Sequence, residues 1–277
     1  MKALIDSDIF CYEFGNMEDL ETGGLLPWPI TRKLVDDRIQ QILTAVEATS
    51  SVFYLTDSKS NFRNEVATIL PYKGHRVSEK PPHWENIRQH LIDNYDAQVQ
   101  YGIEADDAMG IAQCDDNREL VLSEADAGGT IICSRDKDMD MIPGWHYSWE
   151  CGKQKERKWF VTEQMGIRSF YKQLLTGDST DNILGLFGVG KAAACVKRID
   201  TYEAEQDMFD EVWKRYEERF GAHAWRFLVE NAQLLWILRT PKPKFEGDGT
   251  DQLLSKLQEL YGEYEENLIS EASSNAT

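Results

Sequence analysis

Apolar residues fall in short runs over the first half of the chain and in helical stripes over the second. Residues 2–5 form an apolar run that stops at Asp6; residues 51–55 (Ser-Val-Phe-Tyr-Leu) repeat it and stop near Asp57; residues 129–133 (Gly-Thr-Ile-Ile-Cys) repeat it just before Asp136. Runs of this length read as strands buried on both faces. Between the first two, Val35, Ile39, Ile42, Leu43 and Val46 recur at helical spacing and share one face. Strand, helix, strand predicts an α/β fold around a parallel sheet. Ligands of such sheets bind beyond the carboxyl ends of the strands, where Asp6, Asp57 and Asp136 all fall.

Residues 58–90 break the pattern. They carry Lys59, Arg63, Lys73, Arg76, Lys80 and Arg88 against Glu65, Glu79 and Glu85, and Pro71, Gly74, Pro81 and Pro82 cut them into short pieces. This locally basic stretch reads as an excursion from the sheet. After about residue 165 strand signals stop, and helices are predicted over 168–176, 190–199, 203–219 and 224–238. The last is apolar nearly all round and is expected to be buried. Pro241 and Pro243 mark a linker, followed by a helix near 251–262 and an acidic tail. The expected organisation is a sheet domain over 1–165 with 58–90 inserted, a helical region over 166–240, and linker, helix and tail over 241–277.

The chain has 277 residues, 42% of them apolar, and a formal net charge of −18. That balance argues against wrapping nucleic acid by bulk positive charge, but not against an enzyme whose acids sit under bound cations. Cys11, Cys114, Cys133, Cys151 and Cys195 form no CxxC pair and are odd in number, which speaks against a zinc site or a disulfide framework and for a reducing compartment. Charge enters within six residues of Met1 and no apolar run spans a bilayer. A soluble cytoplasmic protein with no membrane partner is expected, a monomer, with the acidic tail as a candidate site for a replication-protein partner.

Three motifs carry chemistry. Glu104-Ala105-Asp106-Asp107 opens a predicted helix from Ile103 to Gln113 and places Glu104 and Asp107 on one face; first-turn acids also cap helices, so this motif has a structural reading too. Ser134-Arg135-Asp136-Lys137-Asp138 follows a strand directly; the alternative is a solvated acidic turn. Gly177-Asp178-Ser179-Thr180-Asp181-Asn182 precedes Gly185 and then Gly188-Val189-Gly190-Lys191. A Gly-Val-Gly turn opening a helix at Ala192–Ala194 could offer backbone N–H groups to a phosphate, or could be a tight inter-helix turn. Carboxylates gathered at one sheet edge repel one another and call for a counter-charge. Hard divalent cations supply it, and two such ions about 3.5–4 Å apart are a common device for cleaving phosphodiesters.

The run E-A-D-D, then S-x-D-K-D, then G-D-x-x-D-N-I-x-G-x-x-G-V-G resembles the 5′-nuclease superfamily of flap endonucleases and polymerase 5′–3′ exonuclease domains. It covers roughly residues 2–200 and is most similar to the exonucleases of short-tailed phages. Thr56-Asp57-Ser58 through Arg63, Tyr72-Lys73-Gly74-His75-Arg76, Ile142-Pro143 and the segment from Ala232 to Arg239 add to it. The resemblance implies a PIN-like, flap-endonuclease-type α/β fold: a mostly parallel twisted sheet flanked by helices, with 58–90 as a helical arch and a C-terminal helix–three-turn–helix region of the helix-hairpin-helix kind. It implies metal ligands at Asp6, Asp57, Glu104, Asp106, Asp107, Asp136, Asp138, Asp178 and Asp181, nine acids that make up half of the net charge. Two or more Mg2+ ions are expected, with Mn2+ as substitute. Lys73 and Arg76, with Arg63 close by, are expected at the scissile phosphate. Tyr72, Lys73, Arg76, Gly188, Val189, Gly190 and Lys191 are expected on DNA, with K+ a candidate at the Gly-Val-Gly turn. The chain departs from the family pattern at Asp8, which makes a D-x-D pair with Asp6, and in the short segment after Gly190.

Two other readings stay open at this point. Asp6-Ser7-Asp8 after a strand, with Gly177-Asp178 later, also resembles a haloacid-dehalogenase-type phosphatase using Asp6 as nucleophile, although that leaves Glu104–Asp107 and the basic stretch unexplained. A non-catalytic DNA-binding relative is the other; loss of some acids would be expected of it, and none is missing.

Overall fold

The computed structural model describes residues 1–57, 59–76, 79–117, 120–240 and 250–274. In chain order the elements are β1 (Lys2–Asp6), α1 (Asp8–Phe14), α2 (Trp28–Ala45), β2 (Ser50–Thr56), α3 (Arg63–Val66), α4 (Trp84–Tyr95), β3 (Gln98–Gln100), α5 (Ala105–Asp116), β4 (Thr130–Cys133), β5 (Gly144–Ser148), β6 (Arg157–Val161), α6 (Glu163–Thr176), α7 (Ala194–Arg198), α8 (Glu205–Phe220), α9 (Ala224–Leu235) and α10 (Asp251–Ser274). They group into two compact units: Met1–Asn61, Val77–Glu163 and Ile237–Thr240 in the first, and Phe62–Arg76, Gln164–Trp236 and Pro241–Thr277 in the second. Among the described residues no helix is long and apolar enough to cross a membrane. Ser58, Pro241, Pro243 and the last three residues of the tail lie outside the described residues.

The first unit is built on a six-stranded sheet in the order β3-β2-β1-β4-β5-β6. Five strands are parallel, and β6 closes the edge antiparallel to β5. Alternation along β1 sends Ala3 and Ile5 to a core shared with Phe10 of α1, Val35, Ile39 and Ile42 of α2, and Ile87 and Leu91 of α4. Helix α5 packs on β1, β2 and β4. Because both faces are covered, the strands carry continuous apolar runs. The three strands predicted from those runs are present. Three others, β3, β5 and β6, were not predicted: β3 has only Val99 between two glutamines, and the edge hairpin mixes Trp145, Tyr147, Trp159 and Phe160 with Lys158 and Arg157.

Residues Ile237–Thr240 return to this unit along α5. Gly110 makes room for them: a Cβ there would lie 2.6 Å from the carbonyl oxygen of Leu238. This return ends the helix predicted over 224–238 at Leu235, with Trp236 already extended.

The second unit is helical. Met208, Phe209, Val212, Trp213 and Tyr216 form a buried stripe on α8, and Asn231 of α9 donates to the Tyr216 hydroxyl. The stretch 58–90 is not one excursion. Phe62–Arg76, including the four-residue α3, belongs with the helical unit, while α4 belongs with the sheet. Between α6 and α7 lie the turns expected there, but α7 begins at Ala194 and has five residues. Gly188-Val189-Gly190-Lys191 therefore does not open a helix as the sequence suggested; Ala193 N–H instead closes a turn on the Gly190 carbonyl.

Candidate functional site

The sheet order reverses at β1: β2 and β3 lie on one side of it, β4 and β5 on the other. A crevice at the carboxyl ends of the strands at such a switch point is the ordinary ligand position of an open parallel sheet. Asp6 ends β1, Ser134 and Asp136 follow β4, Asp57 follows β2, and Glu104 precedes α5. Asp6 is 6% exposed. The Ser134 hydroxyl donates to its Oδ2 at 2.8 Å, and the Asp136 N–H donates to the Ser134 oxygen at 3.0 Å. One serine thus ties together the ends of the two strands that flank the switch point.

Burial pushes the Asp6 carboxyl up to about 7, and the charges of Asp8 and Asp136 add to the rise. Burial also raises Asp8, to which Glu104 contributes repulsion. Asp6 is therefore within electrostatic reach of Asp8 and Asp136, and Asp8 within reach of Glu104. A buried carboxylate raised by like charges, in an all-oxygen donor set, fits a hard divalent cation. Among the described residues no group of three or more His, Cys, Asp or Glu side chains is arranged to hold a metal ion.

The remaining predicted acids of this unit have local partners. Asp57 accepts from the N–H and hydroxyl of Ser60, and the Ser60 hydroxyl bond lowers its carboxyl. Asp106 is half-buried in the first turn of α5. Asp107 is fully buried; one oxygen accepts from Glu104 N–H and the other from Leu238 N–H, each at 3.0 Å. Glu104 and Asp107 form a reciprocal capping box, so the capping alternative is realised, and Asp107 fixes the start of α5 and the returning segment 237–240. Asp136 caps a 3₁₀ turn over Lys137–Met141 by accepting from Asp138 N–H, and Asp138 pairs with Lys137.

Asp8 has both oxygens engaged. Oδ2 accepts from Thr56 N–H and Oδ1 from Arg88, both at 2.8 Å. The D-x-D pair is therefore one buried carboxylate bonded to Ser134 and one charge-paired carboxylate. Sequence reading singled out neither Ser134 nor Thr56 nor Arg88 as functional. The first lies inside the S-x-D-K-D motif and was available there; the Asp8–Arg88 pair spans 80 residues and has no local signal.

In the helical unit, Asp181 collects the predicted basic residues. It accepts from the Tyr72 hydroxyl at 2.8 Å and from Arg76 at 2.5 Å, with Lys73 Nζ at 3.6 Å. The Lys73 N–H also bonds the Asp181 carbonyl. Asp178 is buried and shapes a turn by accepting from Thr180 N–H. Gly177 and Gly185, with φ of 65° and 55°, pack backbone against backbone, so that a Cβ on either would lie 2.2 Å from the other segment. Arg63 requires a correction: it is 3% exposed and donates to the carbonyls of Leu234 and Trp236 at the end of α9, so it braces that helix rather than facing a phosphate. Gly188, Gly190 and Lys191 are exposed and Val189 is half-buried.

The sheet order and its helices are those of the PIN-like 5′-nuclease fold. The D15 protein of bacteriophage T5, crystallised with metal ions, is similar at a TM-score of 0.58 and 16% identity over 97% of this chain and 98% of that one. The T5 D15 flap endonuclease, as a variant in a pseudo-enzyme–product complex with DNA and metal ions, gives 0.57 and 16% over 94% and 98%. A T5 5′-exonuclease mutant gives 0.54 and 14% over the same shares, 94% and 98%. No family model and no curated protein matches the sequence.

Proposed function

We propose that this chain is a divalent-metal-dependent 5′ nuclease, a 5′–3′ exonuclease or flap endonuclease that hydrolyses phosphodiesters near the 5′ end of double-stranded or branched DNA in phage replication or recombination. The observation that carries this reading is the buried Asp6 at the switch point, with Asp8 and Asp136 within electrostatic reach of it and Glu104 within reach of Asp8, in a fold matched over nearly its whole length by phage 5′ nucleases. Asp6, Glu104 and Asp136 would hold a divalent ion, with Asp57, Asp106 and Asp138 as further oxygen donors. Bound Mg2+ or Mn2+ supplies the positive charge that makes water nucleophilic at neutral pH and offsets charge on the leaving oxygen.

The chain's own part is to orient and to neutralise. Ser134 fixes the Asp6 carboxylate through one oxygen. Lys73 and Arg76 carry positive charge for a phosphate, and a phosphate would compete for them with Asp181. The phosphatase reading loses support because Asp8 is taken up by Thr56 and Arg88. The test is product size from a labelled duplex bearing a 5′ flap, with Mg2+, with Mn2+ and with chelator. Short products from the 5′ end with either metal and none with chelator are expected. No release with either metal sinks the reading.

A further inference from the structure

Thr56 joins four elements of the sheet unit through one residue. Its N–H donates to Asp8 at the start of α1, its carbonyl accepts from Arg88 of α4 at 2.9 Å, and its Oγ1 accepts from Ala105 N–H at the start of α5, also at 2.9 Å. The Thr56 hydroxyl also hydrogen-bonds Asp8. Arg88 closes the circuit with its second contact, to Asp8 at 2.8 Å. Its guanidinium lies over the Trp84 ring, 4.5 Å from the centroid, so it is held on a face as well as at its edge.

Three members of this circuit stand one or two residues from an acid of the proposed site. Asp8 follows Asp6 by two, Thr56 precedes Asp57, and Ala105 follows Glu104. Asp57 is linked again, because Ser60 donates to its carboxylate while accepting from Gly102 N–H, two residues before Glu104. Acids gathered without an ion push apart, and hydrogen bonds inside a protein, shielded from water, resist that push.

We infer that Thr56, Asp8 and Arg88 are positioning residues that hold Asp6, Asp57 and Glu104 ready for a divalent ion. The inference rests on the nuclease reading. Removing partners that orient ligands typically weakens metal affinity about 10–100-fold. Thr56→Val keeps shape and backbone while deleting Oγ1; Thr56→Ser restores it. Arg88→Met is the harsher variant, since it leaves Asp8 buried and unpaired, and Thr56→Val keeps the question answerable if that variant does not fold.

Mn2+ binding by calorimetry without DNA, urea unfolding of the metal-free protein, and the Mg2+ dependence of flap cleavage form the test. In Thr56→Val we expect Mn2+ affinity to fall about tenfold. The half-saturating Mg2+ should rise similarly, with kcat at saturating Mg2+ changing much less and Thr56→Ser close to wild type. A lowered unfolding midpoint with unchanged Mn2+ affinity would mark Thr56 as merely structural and overturn the inference. Wild-type protein that neither binds Mn2+ nor cleaves overturns the nuclease reading itself, and the inference with it; wild-type behaviour of both metal readouts in Thr56→Val overturns the inference alone.

Discussion

Ser134 donates its hydroxyl to Asp6 across the point where the strand order reverses, at 2.8 Å and with both residues buried. Removing the hydroxyl leaves a buried carboxylate with one donor fewer and the Asp136 N–H without its acceptor. Ser134→Ala should therefore cost about 1.5–3 kcal/mol, the range for hydrogen bonds to charged groups. Urea denaturation at alkaline pH, where the Asp6 carboxyl is ionised, measures it; an unchanged midpoint would show that the bond contributes nothing.

Asp6 also sets a pH dependence. Its carboxyl is raised from 3.8 to about 7, by burial first and by Asp8 and Asp136 next. The folded chain thus binds this proton more tightly than the unfolded chain, so the group destabilises the metal-free fold above pH 7 and the penalty fades as pH falls through that value towards 3.8. Asp6→Asn removes the penalty. It should raise the Tm of metal-free protein at alkaline pH, with the gain shrinking in acid, and it should abolish stabilisation by added Mg2+. Parallel Tm–pH curves for variant and wild type would contradict this.

Asp136 stands exposed at the same edge, its backbone tied to Ser134. Asp136→Asn should abolish Mg2+-supported cleavage while DNA binding survives or tightens, because one repelling charge is gone. Binding should also weaken as salt rises. Near-normal turnover by the variant removes Asp136 from the site, and affinity flat between low and moderate salt contradicts the electrostatic account.

Arg63 is the contrasting case. Its guanidinium satisfies the carbonyls of Leu234 and Trp236 in a buried setting. Arg63→Met should lower stability by about 3 kcal/mol, the upper end for buried groups left without partners, while Lys73→Ala and Arg76→Ala leave stability nearly intact and lower cleavage. Thermal melts of the three variants decide; an Arg63→Met protein as stable as wild type but inactive would return Arg63 to the phosphate.

The central strands and the acids at their ends were legible because a strand covered on both faces must be apolar throughout and must stop where the chain meets the crevice. β1, β2 and β4 announce themselves in this way, and Asp6, Asp57 and Asp136 with them. The α2 and α8 stripes follow from helical periodicity just as directly. The edge strands β3 and β6 carry no such signal, since an edge strand is paired on one side only, and β5 mixes Trp145 and Tyr147 with His146 and Ser148. Nor does sequence distinguish an acid that faces a crevice from one that caps a helix. Glu104 and Asp107 differ because the returning segment 237–240 brings Leu238 N–H to Asp107. Asp6 and Asp8 differ because Arg88, 80 residues from Asp8, reaches only one of them. Sequence by itself placed the carboxylates at one edge of a parallel sheet. Tertiary structure decided which donors each of them meets, because those donors lie far along the chain and only folding brings them near.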